Sequence, residues 1–343
     1  PVQQAMVTEN GSQCGFCTPG VVMSLFAMYH SEDKLNITKI NEGLSGNLCR
    51  CTGYKPIIAA AFSSINEKAN NPADYYTKNQ TKIKQTLARL NKAQNVSLSY
   101  NNNGNTIHYD APTSLKDLAK VLGNNPQATI LAGGTDLNLE ITQSTRQFSH
   151  IINISQVQEL NAIKDEKSKI EIGSAVTYQD ASSSLIKYWP ELEGFLHRFA
   201  SLPIKNWATI GGNIANASPI GDMPPVLIAL EAKLKLRKKS AIRSVKLEDF
   251  FIGYKKTVLE EGEFIESITI PKPTPMERLI THKISKRYGD DPNVVGHLED
   301  IYRYLKSMAD GALQHPPPKR PKKLEMKDWP QHAKTRFEEN RKK

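Results

Sequence analysis

No run of 18 or more apolar residues occurs in this sequence, so no stretch of it reads as a membrane-spanning helix. No C-x-x-C-H occurs, which excludes a covalently attached c-type haem, and His297, His315 and His332 read as surface residues rather than ligands. No G-x-G-x-x-G follows the first strand of the central region, so a Rossmann dinucleotide site is not indicated. The net charge of +10 invites a nucleic-acid partner, but no aromatic-and-basic motif of the RRM type is present. Residues 291–343 hold 12 Lys and Arg against 8 Asp and Glu, so this tail supplies +4 of the total. Elsewhere acids and bases are interspersed, which reads as a solvated basic surface and argues against nucleic acid as a partner; with no spanning stretch, no membrane partner is expected either. The first residue is Pro rather than Met and no signal peptide precedes the first packed segment, so the chain is expected to be a piece of something longer.

What is present fits a soluble globular protein: 39% hydrophobic and 23% charged residues over 343 positions, a length that suggests two or more domains. The first 70 residues read as short helices set between cysteine loops. Thr18 is expected to cap a helix with Pro19 in its first turn, and "VVMSLFAMYH" is apolar on most faces, so that helix should be buried. A second helix covers about Ile37–Leu44 and ends at Gly46-Asn47; Pro56 opens a third, "IIAAAFSSINEKA". Residues 71–104 read as a linker with one amphipathic helix, "TKIKQTLARLNK". From Asn105 strand and helix patterns alternate: "SLKDLAKVL" and most of "LIKYWPELEGFLHRFAS" are helical. "ATILAGG", "HIINIS", "IEIGSAV", "AKLKLRKK" and "EFIESITIP" read as strands, and "ATIGGNIANAS" as strand then turn. Beyond about residue 288, "HLEDIYRYLKSMADGAL" reads as a helix and the charged remainder as disordered.

The only four cysteines stand as two tight pairs, in "GSQCGFCTPG" and "GNLCRCTGY", with the spacing C-x2-C-x31-C-x-C. Neither pair is a good internal disulfide, and Gly-flanked loops suit a shared inorganic centre. Four thiolates at Cys14, Cys17, Cys49 and Cys51 satisfy one tetrahedral zinc or one [2Fe–2S] cluster; the cramped C-x-C favours the wider two-iron centre. "QCGFCTPG" with "GNLCRCTGY" resembles the helical [2Fe–2S] domain of the molybdenum hydroxylases, the family of xanthine dehydrogenase and aldehyde oxidase. That resemblance implies that these four cysteines ligate the cluster nearest the molybdenum centre. It also places Gln13 where the family's glutamine touches the molybdopterin.

Two glycine turns, "LAGGTDLNLE" and "ATIGGNIANASPIGDMPP", each follow a strand pattern and have backbone N–H groups to offer a pyrophosphate. They resemble the FAD-binding domain of the same family. The resemblance implies a first FAD loop of Ile130, Leu131, Ala132, Gly133, Gly134, Thr135, Asp136 and Leu137. It implies a second loop of Thr209, Ile210, Gly211, Gly212 and Asn213, with an FAD-contacting Asp222. Phe199, Ile265 and Lys283 fall where the family has further flavin contacts; for Ile265 plain core packing weighs as much. The likeness covers residues 1 to about 288 and is greatest to the small FeS/FAD subunit of bacterial members.

The expected fold class is α+β. A helical [2Fe–2S]-binding domain (1–70) and the linker (71–104) precede an FAD-binding domain of the molybdopterin dehydrogenase, PCMH-like type (105–288); an extra helix and charged tail complete the chain (289–343). The tail is similar to the C-terminal end of c-type cytochromes that partner quinoprotein alcohol dehydrogenases, which suggests a chimeric reading frame. The family's C-x4-C-x2-C ferredoxin domain and its last α/β domain are not in the sequence, so the electron path is expected to be missing a link. The resemblance implies an oxidoreductase subunit in the cytoplasm with no catalytic acid, base or nucleophile of its own. Its cofactors would be FAD and the [2Fe–2S] cluster, with molybdopterin on a partner chain. Its partners would be a molybdenum-binding large subunit and NAD or another acceptor. The alternatives are a subunit of an aldehyde or N-heterocycle hydroxylase, a zinc-stapled module without redox chemistry, and a truncated inactive product.

Overall fold

The structure is a computed structural model that describes residues 1–283 apart from 33, 67, 69–73, 91–93 and 103. All of these belong to one compact unit, Pro1–Ile301. The N-terminal region is built from α1 (Val2–Thr8), α2 (Thr18–Ser31), α3 (Ile37–Leu44) and α4 (Lys55–Asn66). Val2, Met6, Val21, Leu25, Ile40, Ile57 and Ala60 meet in one core. α1 was not foreseen as a helix. α2 buries Val21, Leu25, Met28 and Tyr29, one face at helical spacing, while Met23 on another face is 64% exposed. The expectation of an all-round buried helix is thus corrected: its neighbours cover α2 from one side. Thr18 is not the cap either. Cys17 holds that position, and the Thr18 hydroxyl shares a hydrogen bond with Ser12 Oγ at 2.6 Å. α3 is capped by Asn36, whose Oδ1 accepts from the Lys39 amide at 2.8 Å.

α5 (Tyr75–Leu90) buries none of its residues and is followed by β1 (Val96–Asn102), so the linker read over 71–104 already carries a strand of the next sheet. β2 (Asn105–Ala111), α6 (Leu115–Asn124), β3 (Thr129–Leu131), α7 (Leu137–Ser144) and β4 (His150–Asn153) complete a 4-stranded sheet of order β1-β2-β4-β3. β1 and β2 are antiparallel; β4 runs parallel to both β2 and β3.

Next come β5 (Ile163–Asp165), β6 (Lys169–Gly173), α8 (Tyr178–Tyr188), α9 (Leu192–His197), α10 (Leu202–Lys205), α11 (Ile210–Ala215) and α12 (Met223–Ala229). β7 (Lys233–Lys238), β8 (Ala241–Lys246), β9 (Phe251–Gly253), β10 (Lys256–Thr257) and β11 (Phe264–Pro271) end the described fold. The second sheet is antiparallel, 5-stranded and ordered β5-β6-β11-β7-β8. Alternate residues Ile170 and Ile172, Leu234 and Leu236, Ile268 and Ile270 pack from it against Tyr178, Leu185, Leu192, Ile210 and Leu227 of the helices. The strand expected at residues 208–218 is overturned. Thr209 Oγ1 accepts the Gly212 amide at 3.0 Å, an N-cap that turns the chain into α11 and leaves only a bridge from Thr209 to Thr177. The helix and charged tail read beyond residue 288, with His297, His315 and His332, lie outside the described residues. Among the described residues no helix is long and apolar enough to cross a membrane.

Candidate functional site

The α1–α2 and α3–α4 loops carry the cysteines. Positive φ at Gly15 (82°), Gly53 (65°) and Tyr54 (68°) gives these loops their tight bends. All four thiols are free; Cys14 and Cys51 are exposed, Cys17 is half-buried and Cys49 buried. The Cys14 and Cys51 thiols act on each other's ionisation, and so do those of Cys17 and Cys49. The Thr52 hydroxyl at 3.1 Å, with the Thr52 and Cys51 amides, lowers the Cys49 thiol to about 7. The Phe16 amide lowers Cys14, burial raises Cys17, and the bond with Cys14 raises Cys51. Gln13 is exposed beside Cys14.

Side chains that the motif reading left unassigned hold these loops. The Tyr54 hydroxyl accepts the Cys49 amide at 2.8 Å and donates to Asn47 O at 3.3 Å; Asn47 Nδ2 donates to Ser24 Oγ at 2.7 Å on α2. Both residues flank the second cysteine pair, and that adjacency was their only mark. Among the described residues no three or more His, Cys, Asp or Glu are grouped to hold a single ion. An all-thiolate donor set with no oxygen ligand suits zinc or an iron–sulfur cluster.

The second assembly lies in the α+β region. The first loop leaves β3 and enters α7; the second is the Thr209 cap with the start of α11. They are neighbours: a Cβ on Gly133 would stand 1.7 Å from Trp207 O, and one on Gly212 would be 3.9 Å from Ala132 Cβ. Among the described residues, the amides of Ala132, Gly133, Gly134, Thr135 and Asp136 donate to no backbone carbonyl. The second loop differs from expectation. Ile210 donates to Val176 O, Gly211 to Ser174 O, Gly212 to Thr209 Oγ1 and Asn213 to Thr209 O, so all of its amides after Thr209 are already engaged. Its glycines serve close packing, since a Cβ on Gly211 would be 2.4 Å from Ser174 Cβ. The buried Ser174 hydroxyl beside it has no partner among the described residues.

Phe199 packs on Tyr178 with ring centroids 4.6 Å apart, and the Tyr178 hydroxyl donates to Asn213 Oδ1 at 2.9 Å. Burial, then the charge of Asp222, pushes the Tyr178 phenol well above its ordinary value. Asp222 pairs with Lys283 Nζ at 2.9 Å, their side chains 9% and 2% exposed, and Lys283 Nζ also donates to Arg198 O at 2.8 Å. Ile265 is packed in the core with Ile210 and Phe199. The unbonded amides of the first loop form an amide-lined cradle whose donors suit the anionic phosphates of a flavin dinucleotide. Tyr178 and Arg198 escaped the sequence reading, having no motif around them.

Comparison with known proteins matches the two regions in which these residues lie. Residues 1–62 match the family model described as "[2Fe-2S] binding domain", and residues 105–273 match "FAD binding domain in molybdopterin dehydrogenase". Xanthine dehydrogenase 2 of Arabidopsis thaliana is 31% identical over 357 residues, covering 86% of this chain and 26% of its own length. Xanthine dehydrogenase of Drosophila pseudoobscura pseudoobscura is 30% identical over 341 residues, covering 86% and 25%. The chain thus spans about a quarter of the curated relatives it matches. Among solved structures, quinoline 2-oxidoreductase from Pseudomonas putida 86 aligns with a TM-score of 0.50 at 29% identity, over 54% of this chain and 65% of that one. A carbon monoxide dehydrogenase from Hydrogenophaga pseudoflava aligns with the same TM-score and coverage at 32% identity. The zinc-stapled alternative is set aside by the iron–sulfur domain match.

Proposed function

Because the chain belongs to the molybdenum hydroxylase family, we propose that it is the electron-transfer portion of a xanthine dehydrogenase-like hydroxylase whose molybdenum centre lies on a partner polypeptide. When bound, the cluster relays single electrons and FAD takes up two electrons for delivery to an acceptor such as NAD+. Cys14, Cys17, Cys49 and Cys51 hold the cluster at an edge where Cys14 and Cys51 open to solvent. Gln13 meets the partner's molybdopterin there, and Phe16, 96% exposed, is available for the partner to cover. The free amides of Ala132 to Asp136 receive the FAD pyrophosphate, while Ile130, Leu131 and Leu137 shape that loop. Thr209 to Asn213, Phe199, Asp222, Ile265 and Lys283 line the remainder of the flavin site. No side chain acts as acid, base or nucleophile. We place the assembly in the cytoplasm, where four free thiols stay reduced.

The observation that carries this reading is that a four-thiol centre and an amide-lined cradle occupy one compact unit. The test is anaerobic purification of the full chain with metal and flavin analysis. It is followed by mixing with a molybdenum-bearing large subunit and xanthine, quinoline or an aldehyde. Roughly two irons per chain, bound FAD and reduction of the cluster by one substrate are expected. Zinc or no metal, together with a colourless protein, overturns the reading.

A further inference from the structure

The helical region touches the α+β region through two short sequences, "EGLSG" at 42–46 and "SLPIK" at 201–205. Ser201 stands at the N-cap of α10 without a side-chain cap bond. The Leu202 amide instead donates to Ser45 Oγ at 3.0 Å, and that hydroxyl donates on to Glu42 O at 2.6 Å. At the other end of the same turn, Lys205 Nζ reaches Glu42 Oε1 at 2.9 Å and Leu196 O at 3.5 Å. The Lys205 side chain is 5% exposed and that of Glu42 31%. His197 Nδ1 faces the other Glu42 oxygen at 3.9 Å. Gly46 lies so close that a Cβ there would be 2.5 Å from Pro203 Cγ.

α10 is a single turn, too short to be stable alone. Its cap and the partner of its buried ammonium both come from the end of α3. An ammonium so enclosed persists only where a carboxylate and carbonyl acceptors receive it. From α10 the chain enters the cradle directly. The Ala208 amide donates to Ile204 O at 2.7 Å, and Tyr178 N donates to Ala208 O at 3.0 Å. Trp207 O bears on Gly133 of the first loop, and Thr209 opens the second. Movement of α10 therefore displaces both loops together.

We propose that the Glu42–Lys205 ion pair, with the Ser45 cap, is a strut by which the cluster-binding helices complete the FAD site. Glu42, Ser45 and Lys205 are positioning residues. FAD affinity depends on α3 although α3 belongs to the cluster-binding region. This inference rests on the flavin reading of the cradle.

The experiment titrates FAD into the full chain by flavin fluorescence, comparing the parent with Glu42→Gln, Lys205→Met, Lys205→Arg, the reversed pair E42K/K205E, and Lys39→Met as a control on the same helix. Loss of either charge is expected to raise the FAD Kd about tenfold, because α10 is no longer held to α3 and, in Glu42→Gln, the ammonium left behind is buried. Iron content should stay at the parental value. Lys205→Arg should recover most of the affinity, and Lys39→Met should match the parent. The reversed pair should not recover it, because a carboxylate at the buried end would face the Leu196 carbonyl. At saturating FAD, Lys205→Met should also alter the visible circular dichroism of the flavin. Should Lys205→Met fail to fold, Ser45→Ala, which removes the cap bond and the bond to Glu42 O but leaves the ion pair, is expected to raise the Kd about threefold, near the usual worth of a cap. Parental Kd values and an unchanged flavin dichroism overturn the strut. A parent chain that binds no FAD overturns the functional reading and this inference with it.

Discussion

A methyl group at Gly133 would stand 1.7 Å from Trp207 O and 2.5 Å from Trp207 C, backbone atoms that no side-chain rotation can move aside. Gly133→Ala is therefore expected to lose about 3 kcal/mol of stability, near the upper end for overpacking, read as a lower urea midpoint at unchanged slope. An unchanged midpoint would show that the two loops do not meet. Tyr178 yields a pH dependence. Burial and the charge of Asp222 raise its folded ionisation above that of an unfolded tyrosine, about 10. Its contribution is complete below pH 10 and falls as pH rises past it, at up to about 1.4 kcal/mol per pH unit. Between pH 9 and 11 the parent's urea midpoint should drop more steeply than that of Tyr178→Phe; parallel curves would refute the shift. The cysteine quartet was legible because two tight pairs with no other thiol point to one centre. Tyr178 was not legible, since its role comes from enclosure and from Asn213, 35 positions along the chain. Ser45 was hidden for the same reason, as it caps a helix 157 residues away.

At the level of elements, α5 shows how helical patterning differs from anchoring. Its amphipathic sequence marked it as a helix, yet none of its residues is buried. It is tethered at its start, where Asp74 Oδ1 accepts the Thr77 amide at 2.8 Å and Asp74 Oδ2 pairs with His30 Nε2 at 3.0 Å. The His30 ring packs 4.6 Å from Tyr76. Burial pushes the Asp74 carboxyl up, but the Thr77 amide and hydroxyl and His30 outweigh it and hold it below the ordinary range. A lowered folded value means the tether is whole above the unfolded pKa, about 3.9, and is lost as pH falls through the folded one. Hydrogen-exchange protection of residues 75–90 should therefore hold at pH 6 and decline below about pH 4. Asp74→Ala should show the low-pH behaviour throughout; equal protection in both proteins at pH 6 would refute the tether. The opposite error occurred at residues 208–218, where β-branched residues before a glycine pair read as a strand. The Thr209 hydroxyl on the Gly212 amide is a three-residue contact that periodicity does not register, and it converts the segment into α11.

At the scale of the whole molecule, the helical region and the two sheets have separate buried clusters, with the first FAD loop leaving the four-stranded sheet and the second belonging to the helices over the five-stranded one. The alternation of strand and helix announced these layers, but their mutual seating depends on close approaches such as the Gly133 backbone against Trp207 O, which no local pattern encodes. A ligand that touches both loops ties two clusters together, so its binding free energy becomes stability of the folded chain. At an FAD concentration one hundred times Kd the gain is about 2.7 kcal/mol. For a domain of this size that raises the melting temperature by about 5 to 10 °C. Riboflavin carries the isoalloxazine without the pyrophosphate and leaves the amides of Ala132 to Asp136 unengaged. At the same concentration it is expected to produce a much smaller rise. Melting curves of the full chain with each ligand decide the matter: equal shifts would mean that the amide-lined loop does not receive the phosphates, and no shift with either would mean that the cradle does not bind a flavin.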